Sequence, residues 1–158
     1  MNVALVIDTL DLGGAERVVE RLALGLKAAG DCPVIYCLKS PGAGAARLAA
    51  AGVRVRSLPP RRRDVLAPVR LARWLLSDGV HVVNAHSSAA LSATFPAALA
   101  LRIPIVHTRH GDLLGRPTVY RRIADRLAPF VDRTVLVAHR LRGSLPSGRA
   151  ARRAVVIQ

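Results

Sequence analysis

The feature that most constrains the fold is the alternation of short apolar runs with longer segments of helical periodicity along the whole chain. The first run, 3–8, ends in an acid, and after two glycines the apolar residues of 15–26 recur at intervals of three and four. Gly30 is a suitable end for that helix. Strands that alternate with helices at this spacing are joined by right-handed crossovers. The sequence therefore predicts a doubly wound α/β domain with a parallel sheet and helices on both faces.

The remaining elements follow from the same periodicity. Further strands are predicted at 34–38, 53–58, 80–84, 103–108, 133–137 and 154–158, and helices at 45–51, 65–77, 89–101, 118–127 and 139–145. A chain of 158 residues has the usual size of one domain, and no linker is long enough to divide it. We therefore expect one Rossmann-like domain over 1–158.

The composition limits which side chains can form the core and which ligands the surface can attract. Apolar residues make up 51% of the chain and aromatic residues only 3%, so aliphatic side chains must build the core. The net charge is +14, and because Lys27 and Lys39 are the only lysines, nearly all of it comes from arginine. Such a surface attracts anions such as phosphate-bearing ligands, nucleic acid or an acidic membrane. A compositional bias of the genome accounts equally well for the arginine excess.

Several classes of protein are disfavoured. The two cysteines, Cys32 and Cys37, have no second pair and no histidine at zinc-ligand spacing, so neither a disulfide scaffold nor a metal site is supported. No cofactor is expected. The N-terminal run meets Asp8 and lacks a basic segment before it, which is typical of a strand rather than a signal peptide. The apolar stretch 87–106 is interrupted by two prolines and an arginine, so no membrane span is predicted. These patterns predict a cytoplasmic protein.

The first candidate site is the glycine pair Gly13 and Gly14. In an open parallel sheet, ligands bind beyond the carboxyl ends of the strands. Two glycines before a helix let a ligand approach the backbone, and the helix N-terminus offers free N–H groups and a positive dipole end, which suits a diphosphate. The G-x-G-x-x-G spacing is absent, so a nicotinamide enzyme is disfavoured. The alternative is that the glycines only form a tight turn.

The second candidate is the histidine-rich segment 105–111. A strand here runs directly into His107, Arg109 and His110, which could bind phosphate or a sugar hydroxyl, or move a proton. His107 and His110 are three positions apart and would leave a strand on opposite faces. We therefore predict that His110 faces a cleft and that His107 enters the core.

The third candidate is the segment 84–88, at the end of another strand. His86 is a candidate cleft residue. Ser87 or Ser88 is explained more simply as the N-cap of the following helix.

A basic segment precedes the helix predicted over 65–77. It contains Arg61, Arg62 and Arg63, and on the helix itself Arg70, Arg73 and Ser77 share one face with Trp74 at its border and Leu71, Ala72, Leu75 and Leu76 opposite. This combination could bind an anionic membrane or a phosphate-bearing acceptor. A solvated helix face that packs on the sheet explains the same pattern.

Five short motifs follow one another along the chain, at residues 13–19, 51–55, 82–87, 104–111 and 131–135. In their sequence and their order they resemble the N-terminal domain of the group 1 glycosyltransferases, also called family 4, which have the two-domain GT-B fold. The resemblance covers nearly the whole chain. It implies a hexosyltransferase-type enzyme that transfers a sugar from a nucleotide-sugar donor to an acceptor, such as a lipid-linked or cell-envelope glycan.

The resemblance also implies roles for residues. Gly13 and Gly14 would lie against the donor diphosphate, and His110 would match the histidine that reaches the transferred sugar. The acceptor side would be lined by Glu16, His86, Arg109 and Gly111. Asn84 departs from the family, which often has His or Asp at its position.

A C-terminal domain would hold most of the donor in this family, and it is absent from these 158 residues. We therefore expect the chain alone to be inactive, and the enzyme to work in the cytoplasm without a metal, with contact to the inner face of the membrane as a further expectation.

Two other functions remain open from the sequence. A sugar-nucleotide epimerase could share this architecture. A basic nucleic-acid-binding module is supported by charge alone, since the few aromatic residues do not cluster as a single-strand binder requires.

Overall fold

A computed structural model describes residues 1–59, 66–111, 118–145 and 148–157. Within them, seven parallel strands form one sheet in the order β3-β2-β1-β4-β5-β6-β7. The strands are β1 (Asn2–Ile7), β2 (Cys32–Cys37), β3 (Arg54–Ser57), β4 (Val82–Ala85), β5 (Ile105–Arg109), β6 (Arg133–Leu136) and β7 (Ala154–Val156). The predicted doubly wound α/β fold is confirmed, with strand ends displaced by at most two residues.

The connections between strands are mainly helical. The helices are α1 (Gly14–Ala28), α2 (Gly44–Ala50), α3 (Ala67–Ser77), α4 (Ser88–Ala100), α5 (Val119–Leu127) and α6 (Arg149–Arg152), with 3₁₀ helices at Ala128–Phe130 and His139–Ser144. The helix expected over 139–145 is thus a 3₁₀ helix. Helix α6 was not predicted, because four residues are too few to show a helical period.

Strand β1 lies at the centre of the sheet and explains where a ligand could bind. It pairs with β2 on one side and with β4 on the other. From β1 the chain runs outward through β2 and β3 and then returns to β4, so the crossovers change faces between β1 and β4. The crevice at the carboxyl ends of these two strands is the position where such sheets bind ligands.

Both faces of β1 are buried, which is why its sequence is a continuous apolar run. Ala4 and Val6 face the core under α3, α4 and α5, whereas Val3, Leu5 and Ile7 face the core under α1 and α2. Each fully buried Val, Leu or Ile side chain contributes about 1.5–3 kcal/mol relative to exposure. This strand therefore fixes the crevice firmly in place.

The orientation of α3 corrects one prediction. Leu71 and Leu75 are buried, as expected, but Leu76 is 64% exposed. Leu71 and Leu75 are four positions apart and point at the sheet, and the next residue is rotated by about 100° towards solvent. Trp74 packs against Tyr36, with ring centroids 5.3 Å apart.

No helix in the described part of the chain is long and apolar enough to span a membrane.

Candidate functional site

The ends of β1 and β4 are joined by side chains at the carboxyl edge. The Ser87 hydroxyl donates to the Asp8 carboxylate (3.0 Å) and accepts from the Ala90 N–H (2.9 Å). The second bond makes Ser87 the N-cap of α4. Of the two serines proposed for this role, Ser87 performs it, and it also anchors Asp8 beside the crevice.

Residues 8–14, which we call the glycine loop, lead from β1 into α1. No side chain among the described residues caps α1. A Cβ atom placed on Gly14 would meet no atom of the described residues within 4 Å, so they leave the space in front of Gly14 open. At Gly13, by contrast, the Glu16 carboxylate folds back against the backbone. An anion that binds at this helix N-terminus therefore has free access at Gly14 and competes with Glu16 at Gly13.

The glycine loop is supported by a second pair of glycines that the sequence analysis did not identify. The Gly44 N–H donates to the Leu10 carbonyl (2.9 Å), and a Cβ on Gly44 would lie 2.7 Å from that oxygen. Gly42 has a φ of +68°, and a Cβ there would lie 2.6 Å from the Asp11 nitrogen. The pattern Pro41-Gly42-Ala43-Gly44 is the signal that could have revealed this contact.

Two small cavities flank the first turn of α1. One, of about 140 Å³, is lined by Gly13, Glu16 and Arg17 among others. The other, of about 150 Å³, is lined by Ala15, His86, Ser87, Ser88, His107, Arg109, His110 and Gly111. We call the second the histidine cavity. Four predicted site residues thus meet in one place, whereas Glu16, predicted to lie with them, faces the other cavity because successive helical residues diverge by about 100°.

Three histidines, His86, His107 and His110, form the histidine cluster. The His86 Nδ1 lies 3.0 Å from the His110 Nε2, and the two rings stack with centroids 5.3 Å apart. His86 is only 2% exposed, and its backbone N–H donates to the Val6 carbonyl in β1. Burial, followed by the neighbouring His110 and His107, lowers the pKa of His86 to about 3.

His107 is 1% exposed, in agreement with the prediction that it enters the core. Burial and then the nearby Arg109 and His110 lower its pKa to about 3. Neither ring nitrogen has a hydrogen-bond partner among the described residues. The expected separation from His110 is incomplete, however, since both rings line the same cavity. The reason is that His110 lies beyond β5, which ends at Arg109, so the alternation of side chains along a strand no longer sets its direction.

Arg109 is less available than the sequence suggested. It is 6% exposed, and its guanidinium donates to the Asp125 carboxylate of α5 at 2.9 Å. This ion pair neutralises much of its charge and holds α5 against the end of β5. The sequence offered no signal for it, since the partners are sixteen positions apart in different elements.

Only part of the predicted basic surface lies within the described residues. Arg61, Arg62 and Arg63 lie outside the described residues. On α3, Arg73 is exposed and Arg70 is half-buried. The outer side of the α3–α5 layer also exposes Leu66, Val69, Leu76, Leu99, Val119, Tyr120 and Ile123.

No group of three or more His, Cys, Asp or Glu side chains is arranged to hold a metal ion within the described ranges.

Residues 12–158 match the sequence pattern of one family, described as Glycosyltransferase Family 4. No curated protein gives a significant match in sequence.

Solved structures share the fold. HepE of Anabaena, in complex with UDP-glucose, has 17% identity and a TM-score of 0.81, over 99% of this chain and 43% of HepE. The lipopolysaccharide outer core galactosyltransferase WaaB has 12% identity and a TM-score of 0.72, over 99% of this chain and 45% of WaaB. The UDP-N-acetylglucosamine 2-epimerase of Rickettsia bellii has 14% identity and a TM-score of 0.60, over 99% and 44%. The chain spans less than half the length of each, and at these identities the likeness concerns the fold alone.

Proposed function

Because the chain belongs to glycosyltransferase family 4, we propose that it is the N-terminal, acceptor-side domain of an enzyme that transfers a sugar from a nucleotide-sugar donor to a glycan acceptor. The observation that carries this proposal is the histidine cavity. It brings Ala15, in the first turn of α1 after the two glycines, together with His110 and Gly111 from the end of β5. A helix N-terminus and a histidine at one cavity suit a ligand that carries both phosphate and sugar hydroxyls.

The donor diphosphate is assigned to the N-terminus of α1. The open space at Gly14 allows phosphate oxygens to approach the first free N–H groups, and the helix dipole favours the charge that develops on the leaving diphosphate. Glu16 keeps the anion on the Gly14 side by its own charge. The reaction proposed here uses no metal, since backbone N–H groups and basic side chains supply the stabilisation.

The transferred sugar and the acceptor are assigned to the other side of the histidine cavity, which the residues at the ends of β4 and β5 form. His110 reaches the transferred sugar as a hydrogen-bonding partner. Arg109 and Gly111 shape the acceptor side beside it, and His86 supports that wall from below. The ion pair with Asp125 gives Arg109 a fixed position. Glu16 belongs to the acceptor side only where an acceptor extends past the first turn of α1 into the neighbouring cavity.

A titration of this chain with a panel of UDP- and GDP-sugars tests the assignment. We expect binding of about millimolar affinity, since one helix N-terminus and a few side chains supply the contacts. In NMR spectra, the amides of Gly14 and Ala15 and the ring of His110 should shift together. The chain alone should not transfer sugar, because the other wall of the proposed cleft would hold most of the donor. Measurable transfer, or micromolar donor affinity, would show that this division of roles is wrong.

An anionic membrane surface is the proposed location of the acceptor, at the inner face of the membrane. The outer side of α3–α5 combines exposed apolar side chains with arginines, including Arg73 and Arg122, whereas α1 and α2 mix acids and bases. Apolar side chains that insert between lipids and arginines that contact phosphates bind such a surface together. WaaB, whose name refers to lipopolysaccharide, supports a cell-envelope glycan as the class of acceptor.

Sedimentation with vesicles of mixed neutral and anionic lipid tests the membrane proposal. Replacing Arg61, Arg62 and Arg63 with Ser should weaken binding by about 1 kcal/mol for each arginine that lies near the lipid surface. The control removes Arg17, Arg21 and Arg47, which belong to α1 and α2, and should change binding less. Equal effects of the two triple variants would reduce the attraction to net charge, and no binding by the parent chain would remove the proposal.

An epimerase is the second candidate, favoured only by the fold shared with the Rickettsia bellii enzyme. An epimerase would convert a nucleotide sugar without an acceptor. Product formation by a form that carries the donor-binding half, with nucleotide sugar as the sole substrate, would favour it over transfer.

A further inference from the structure

The short contact between His86 and His110 indicates where the ring protons of these two residues lie. A separation of 3.0 Å between His86 Nδ1 and His110 Nε2 requires one proton between them, because two bare nitrogens or two N–H groups repel each other. His86 is neutral near neutral pH, since burial disfavours its charged form. A neutral imidazole carries one proton, on either Nδ1 or Nε2. The surroundings of His86 decide between these two positions.

The other nitrogen of His86 settles the direction of the bond. Its Nε2 is buried and has no partner among the described residues. A proton on Nε2 would therefore be a buried donor with no acceptor in the described part of the chain, and a buried donor left unsatisfied costs about 1–3 kcal/mol. A bare Nε2 is the less costly choice, because orphaned acceptors are tolerated better than orphaned donors. The proton of His86 thus belongs on Nδ1, where it is donated to His110.

We infer that His86 is a positioning residue, which donates its Nδ1–H to His110 Nε2 and so fixes both the ring orientation of His110 and its Nδ1–H tautomer. His86 is itself held by its backbone bond to Val6 and by the Ser87 N-cap that follows it. His110 lies beyond the end of β5 and precedes Gly111, which has a φ of +114°, so the pairing of β5 does not itself orient the His110 ring.

The consequence for the proposed function, on which this step rests, is chemical. With Nε2 engaged as an acceptor, neutral His110 keeps Nδ1–H as its only ring donor. A sugar oxygen that His110 binds is then recognised as a hydrogen-bond acceptor. Sugar recognition at this wall would depend on a residue that is 2% exposed.

Ring-nitrogen NMR on this chain without ligand tests the inference. Histidine labelled with ¹⁵N distinguishes protonated from bare ring nitrogens, and mildly alkaline pH keeps the rings neutral. In the parent chain, His110 should show a bare Nε2 and a protonated Nδ1. His86→Phe preserves the approximate size of the ring and removes the donor, so the ratio of Nδ1–H to Nε2–H in His110 should fall about threefold to tenfold, as expected for one lost hydrogen bond.

Two further variants separate positioning from packing. His86→Asn places an amide donor near the position of Nδ1 and should restore the parent tautomer. His107→Phe changes the other buried histidine of the cluster and should leave the tautomer of His110 unchanged.

A protonated Nε2 on His110 in the parent chain, or an unchanged ratio in a folded His86→Phe, would overturn the inference. If His86→Phe does not fold, the parent measurement decides alone. Because no nucleotide sugar is present, failure here leaves the transferase proposal standing, and failure of the donor titration leaves this result standing.

Discussion

The glycine loop and the histidine cluster face the same crevice and are built in opposite ways. The glycine loop presents backbone, is open in front of Gly14, and obtains its shape from contact with Gly42 and Gly44. The histidine cluster presents side chains, two of which, His86 and His107, are almost fully buried. Substitutions in front of the glycine loop should therefore affect a ligand before they affect the fold. Substitutions deep in the histidine cluster should affect the fold first.

Gly14→Val is expected to have the largest effect on activity. In an enzyme that carries the donor-binding half, it should abolish transfer, because the new side chain fills the space assigned to the diphosphate. The chain itself should unfold at nearly the same temperature, since none of the atoms that the structure describes lies within 4 Å of a Cβ at this position. Turnover assays and thermal denaturation measure both quantities. Near-normal turnover would leave the glycines as turn formers only.

His110→Ala should lower turnover by about a hundredfold or more, the range of a lost acid–base or hydrogen-bonding group, with little loss of stability. His107→Ala should instead destabilise the chain by about 2 kcal/mol or more, because it opens a cavity in the interior. The exposed His139 provides a control, and His139→Ala should change neither property. If His110→Ala and His107→Ala lowered turnover equally, with stability intact, the assignment of their roles would be wrong.

Gly44→Ala and Gly14→Ala form a matched pair for stability. The first places a Cβ 2.7 Å from a backbone oxygen and should cost about 1–3 kcal/mol, whereas the second meets open space and should change stability by a few tenths of a kcal/mol. Chemical denaturation of the two variants gives the difference directly. A tolerated Gly44→Ala would show that the glycine loop sets its own shape.

The pH dependence of stability is the mildest test of the histidine cluster. His86 and His107 have pKa values lowered to about 3 in the folded chain, whereas unfolded histidine titrates near its ordinary value of about 6.5. The unfolded state then binds more protons between these values, so stability should fall as pH decreases from about 6.5 towards 3. The slope is at most about 1.4 kcal/mol per pH unit for each histidine. His107→Phe should remove its share, and an unchanged slope would contradict the burial of a neutral His107.

The sequence predicted those features of the fold that depend on local pattern. The alternation of strands and helices and an N-cap at Ser87 or Ser88 both follow from residues close together in the chain, and the structure places the N-cap at Ser87. The sequence did not reveal that Ala15 and Glu16, adjacent on α1, would line different cavities, which the rotation of the helix brings about. The prediction that Leu76 lies on the apolar side of α3 was wrong for a similar reason, because Leu76 is one helical step beyond the buried Leu75.

The contacts that complete the site come from distant parts of the chain. Asp125 pairs with Arg109, and His86 meets His110 across twenty-four positions. No local pattern contains such pairs, since each depends on how neighbouring strands align at their ends. The segments expected to approach a ligand could therefore be predicted from the sequence, whereas the residues that position them, such as Asp125 and His86, could not be predicted as their partners.

The contact between Leu10 and Gly44 has a consequence for protein engineering. The shape of the glycine loop is imposed by a tight turn some thirty positions later, where neither Gly42 nor Gly44 leaves room for a Cβ atom. Grafting residues 8–14 alone onto another parallel sheet would transfer the sequence of the glycine loop without the contacts that determine its shape. A transferable form of the glycine loop would have to include residues 41–44 and the β1–β2 pairing that brings the two turns into register.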